Sequence, residues 1–107
     1  MGRVFHRADL LRKHAEVERN YYEFLRVPAI SGGMYVLPAG ATDYQSPHDQ
    51  DEIYYVMAGA GNIRLGTEEW QVEEGDVVFV EAGLPHKFFA IKKELVLLVI
   101  FAPAETA

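Results

Sequence analysis

The sequence predicts an all-β fold of short antiparallel strands behind one short N-terminal helix. Apolar runs of three to seven residues recur along most of the chain, each bounded by turn residues. After residue 20 no helical pattern separates them. A chain of 107 residues also has no room for the crossovers of a dozen or more residues that parallel strands need. Short, regularly spaced strands of this kind build a sandwich or a barrel.

In chain order, residues 7–19 are dense in charge, with Ala8, Leu11 and Ala15 at helical spacing and Asp9 as a helix start. The period then changes. Residues 21–27 are aromatic and β-branched and stop at Pro28, which reads as a strand. The later strands are expected at 34–37, 53–57, 62–65, 70–72, 77–80, 87–91 and 95–101. Their punctuation is Gly32-Gly33, Pro38-Ala39-Gly40, Gly59-Ala60-Gly61, Gly66-Thr67, Glu74-Gly75-Asp76 and Gly83-Leu84-Pro85. We expect one domain over 1–107, with an N-terminal extension to about residue 30 and a core over about 31–103.

Composition narrows the function classes. The formal charge is −6, from 16 acids and 10 bases, and an acidic chain repels phosphate backbones. No basic amphipathic stretch points to a membrane surface, and the longest apolar run, 95–103, is too short to span a bilayer. Residues 1–12 carry Arg3, Arg7 and Arg12 and lack the apolar stretch of a signal peptide, so a cytoplasmic location is expected. There are no cysteines, which excludes disulfide frameworks, thiolate zinc sites and cysteine nucleophiles.

Four histidines remain as candidates for chemistry. His6 and His14 sit among charged residues and read as solvated. His48 and His86 each follow a proline in a loop that opens onto an apolar run. In extended backbone, side chains alternate faces, so His48, Gln50 and Glu52 point one way and Asp49 and Asp51 the other. A buried Glu beside a buried His needs compensation, and a divalent cation such as Fe, Mn, Ni or Zn supplies it. Taken alone, the segment reads equally well as a polar surface turn. Alternation also turns Tyr54 and Phe88 toward the interior, where they would line a pocket or fill a small barrel. Trp70 and the Tyr21, Tyr22 and Phe24 group read as packing or interface.

The glycine and ligand spacing resembles the cupin superfamily. Its first motif, G-x5-H-x-H-x3-E-x6-G, is matched by Gly40, His48, Glu52 and Gly59, with Ser46 at the first histidine position. Its second, G-x5-P-x-G-x2-H-x3-N, is matched by Gly75, Gly83 and His86, with Glu81 and Ala90 at the proline and asparagine positions. Fifteen residues separate Gly59 from Gly75, and the two motifs span 40–90, about half the chain. Glu81 and Ala90 bear on turn rigidity, Ser46 on chemistry.

The resemblance implies a double-stranded β-helix, or jelly-roll barrel, holding one divalent ion through His48, Glu52 and His86. Gln45, Ser46 or Gln50 is the candidate fourth ligand. It further implies a small metalloenzyme of dioxygenase, isomerase or lyase type acting on a small organic molecule, with Tyr54 as the one candidate acid or base. A non-catalytic small-molecule binder or sensor is the alternative, and a structural dimer with a vestigial site is a third reading. A homodimer is expected, with 21–27 covering a sheet edge of its own barrel or of a neighbour's.

Overall fold

The protein is described by a computed structural model covering residues 2–44 and 47–106. The expected fold class is observed: the described residues form one short helix and six antiparallel strands. Helix α1 spans Arg7–Glu16, with His6 rather than Asp9 at its N-cap, and ends before Arg19. Asp9 falls in the first turn, where its carboxylate favours the positive end of the helix dipole, and it pairs with Arg12 at 3.3 Å. Val17 is already extended, so the charged residues after it do not continue the helix.

The strands are β1 (Tyr21–Val27), β2 (Ile30–Leu37), β3 (Asp51–Leu65), β4 (Glu68–Glu73), β5 (Val77–Val80) and β6 (His86–Ala102). Their order is β1-β2-β6-β3-β4, with β5 also paired to β3. β1 covers the edge of its own sheet by pairing with β2, Tyr21 opposite Tyr35. Gly32 and Gly33, expected as punctuation, lie inside β2. A Cβ on Gly33 would collide with the Tyr21 phenol, so glycine here serves close approach rather than a turn.

Two pairs of expected strands are each one long strand. Runs 53–57 and 62–65 merge into β3, and 87–91 and 95–101 merge into β6. The reason lies at Gly59 and Ala90. In β3 the buried residues are Glu52, Tyr54 and Val56, then Gly61 and Ile63. The parity changes from even to odd across a bulge around Gly59, where φ is +98°. A Cβ on Gly59 would strike the carbonyl of Glu94 on the facing strand. In β6 the same change separates His86 and Phe88 from Ile91, Leu95, Leu97, Val99 and Phe101. It falls at Ala90, whose φ is +46°. Without these irregularities a straight strand would turn half its apolar side chains to solvent. With them, β3 and β6 bend and both halves of each face one core of Leu37, Tyr54, Val56, Ile63, Val80, Phe88, Leu95, Leu97 and Val99.

No helix among the described residues is long and apolar enough to cross a membrane.

Candidate metal centre

Glu52 is the second residue of β3 and His86 the first of β6. Strand pairing holds both backbones and alternation turns both side chains inward, each about 1% exposed. His48 comes from the loop before β3, and its carbonyl accepts from the Gly83 N–H at 2.7 Å. One donor atom from each of His48, Glu52 and His86 lies within 4.8 Å of the others. The sequence spacing thus brings the three expected ligands together.

The surroundings of these atoms decide what the cluster can hold. His86 Nδ1 is 2.8 Å from the Leu84 carbonyl, which can only accept, so Nδ1 carries a proton and Nε2 is turned inward. His86 Nε2 stands 2.7 Å from Glu52 Oε1. Yet Nε2 and both Glu52 oxygens are buried without a partner in hydrogen-bond geometry. Orphaned buried polar atoms are costly, and a divalent ion among them would satisfy all three at once. Burial alone would lower the His86 pKa, but the Glu52 carboxylate, the Leu84 carbonyl and Asp43 outweigh it and hold the pKa above its ordinary value.

Beside the cluster is a cavity of about 270 Å³, walled by Tyr21, Tyr35, Tyr54 and Phe101 and reached by His48 and Glu105. Tyr54 lies on the wall, its ring 6.2 Å from that of His86. Phe88 sits behind it in the core, edge-on at 4.9 Å. Gln50 is buried and its amide nitrogen donates to Thr106 Oγ1 at 3.0 Å. Asp51 is exposed and its Oδ1 accepts from the Ala82 N–H. Gln45 and Ser46, the other candidate fourth ligands, lie outside the described residues.

Sequence reasoning missed four groups. Tyr21, read as packing, reaches the cavity, and its hydroxyl is buried without a partner. Burial first, then the carboxylates of Glu105, Glu23 and Glu52, push its pKa well above the phenol range, so it stays protonated. Asp43 is buried, accepting from the Tyr35 hydroxyl at 2.6 Å and the Phe88 N–H at 3.0 Å. Tyr35 pairs across from Tyr21. Glu105, near the chain end, lies 2.9 Å from His48.

Fold and site together define a small antiparallel barrel with a His/Glu cluster beside an aromatic cavity. The chain belongs to the cupin family: residues 33–101 match the Cupin_2 cupin domain. It is 43% identical over 104 residues to an uncharacterized protein of Streptomyces coelicolor, covering 97% of this chain and 99% of that one. A solved protein of Thermus thermophilus superposes with a TM-score of 0.75 at 25% identity, over 94% of this chain and 97% of that chain. The DMSP lyase DddQ of Ruegeria pomeroyi superposes at 0.69 with 21% identity, over 78% of this chain but 47% of its own, and shows the shared fold alone.

Proposed function

We propose that the protein is a metal-dependent cupin enzyme that acts on a small organic molecule seated in the aromatic cavity. The observation that carries this reading is the trio of orphaned atoms, His86 Nε2 and both Glu52 oxygens, buried next to His48. Two imidazoles and one carboxylate would hold Fe, Mn, Ni or Zn and leave positions open for a substrate or water. A bound ion supplies Lewis-acid or redox chemistry of the dioxygenase, isomerase or lyase type.

The chain's own residues supply the rest. The cavity, about 270 Å³, takes a molecule smaller than a typical drug. Tyr21, Tyr35 and Phe101 give it apolar walls, and the protonated Tyr21 hydroxyl is placed to donate a hydrogen bond. Tyr54 is the candidate proton-transfer group on the wall nearest His86. These polar groups favour an enzyme over the alternative, a non-catalytic binding or sensor barrel, whose walls need only be apolar.

A homodimer accompanies this reading. On the outer face, Ile53 pairs with Phe79 and Tyr55 with Val77, and all four are exposed. Such a patch suits a second copy better than solvent.

Metal analysis of untagged protein tests the reading. Close to one divalent ion per chain is expected in wild type and none in His86→Ala or Glu52→Ala. Wild type that neither carries nor takes up metal at neutral pH would sink it.

A further inference from the structure

Both strand-borne ligands are fixed by β-pairing, but His48 comes from a loop, and something must fix its ring. The partner that the structure offers comes from the far end of the chain. Glu105 Oε2 lies 2.9 Å from His48 Nδ1, with both side chains about four-fifths buried.

The tail that carries Glu105 is itself anchored. The Ala104 N–H donates to the Pro28 carbonyl at 3.3 Å, and the Glu105 N–H donates to Ser31 Oγ at 2.9 Å. Thr106 Oγ1 accepts from the buried Gln50 amide at 3.0 Å. Ser31 is fully buried, so the tail folds onto the rim of the barrel rather than hanging from β6. These bonds tie the tail to the β1–β2 turn, to β2 and to the loop that bears His48.

We propose that Glu105 is a positioning residue of the metal centre, holding His48 Nδ1–H so that the ring presents Nε2 to the ion. This rests on the metal reading above. The chemistry parallels that of the other histidine. His86 has its Nδ1–H held by the Leu84 carbonyl and aims Nε2 inward. Glu105 gives His48 the equivalent restraint, and Phe101, edge-on to the His48 ring at 4.8 Å, sets its plane. Outer-sphere partners of this kind fix the tautomer, raise ligand basicity and contribute about 10–100-fold to metal affinity.

The test titrates untagged wild type, Glu105→Ala and Glu105→Gln with Zn²⁺ alone by calorimetry. Proton-coupled ¹⁵N spectra of the zinc-loaded proteins read the His48 tautomer. Expected are one zinc per wild-type chain with His48 protonated at Nδ1, and about 10–100-fold weaker binding by Glu105→Ala. Glu105→Gln keeps an acceptor oxygen and should fall between the two. A purely structural role would instead lower the melting temperature in chelator and leave the His48 tautomer and zinc affinity unchanged. Zinc affinity equal to wild type in Glu105→Ala overturns this inference alone. Loss in Glu105→Gln as deep as in Glu105→Ala also overturns it, because it marks Glu105 as a direct ligand. Absence of zinc uptake by wild type overturns the metal reading and this inference with it.

Discussion

Replacing Glu52 and His86 together by leucine should make the metal-free protein more stable while abolishing its response to metal. The Glu52 side chain is about 1% exposed, and neither oxygen has a partner in hydrogen-bond geometry. Each unsatisfied buried polar atom costs about 1–3 kcal/mol, and the attraction of His86 returns part of that. Exchanging buried ion pairs for apolar groups is typically neutral or stabilising by about 1–4 kcal/mol. Replacing both partners leaves neither a stranded charge nor an unsatisfied ring nitrogen behind. We expect a net gain of about 1–2 kcal/mol in chelator, or a melting temperature higher by about 5 °C or more. Wild type should gain about 2.7 kcal/mol when free metal reaches about 100 times its Kd, reversing the order. Urea denaturation of both proteins, with chelator and then with Zn²⁺, reads each number. A variant at least about 1 kcal/mol less stable than wild type in chelator would refute the idea that the uncompensated carboxylate strains the apo fold.

The raised pKa of His86 fixes the sign of two pH dependences. A folded-state pKa above the ordinary 6.5 gives metal-free protein a stabilising contribution present below that value and lost as pH climbs through the folded pKa. Metal affinity should run oppositely, rising with pH as His86 deprotonates; denaturation in chelator and zinc titrations from pH 5.5 to 8.5 check both slopes. Ala90 adopts φ +46°, a conformation that favours Asn and Gly, so Ala90→Asn should raise stability by about 0.5–1 kcal/mol in urea denaturation. An unchanged or lower midpoint would contradict that. Wild type should sediment at about twice 12.1 kDa, and Phe79→Lys, which charges the centre of the exposed β3–β5 face, should sediment as a monomer.

The clustering of His48, Glu52 and His86 was legible because it depends on local spacing. His48 and Glu52 are four apart in one strand entry, and His86 follows Gly83 at the start of another. Strand β1 was legible for the same reason, since its seven residues carry their own propensity and end at Pro28. The long strands β3 and β6 were not. Gly59 looks like a break and Ala90 like an ordinary strand residue, and only pairing with a facing strand makes each left-handed residue an irregularity within one longer strand. Ala90 in particular was read as a matter of turn rigidity, whereas it is where β6 changes parity. Glu105 and Tyr21 were beyond reach because their meaning is non-local. Glu105 meets Ser31 across 74 residues, and the Tyr21 phenol finds its place over Gly33, two residues along β2 from its partner Tyr35, because Gly33 lacks a side chain.

The central claim is that His48, Glu52 and His86 surround one divalent ion. X-ray diffraction from crystals of untagged protein grown with Zn²⁺, recorded on either side of the zinc absorption edge, tests it directly. The account predicts one strong anomalous peak about 2.0–2.2 Å from a nitrogen of His48, an oxygen of Glu52 and Nε2 of His86. A well-occupied peak elsewhere, or none at the triad in zinc-saturated crystals, would contradict it.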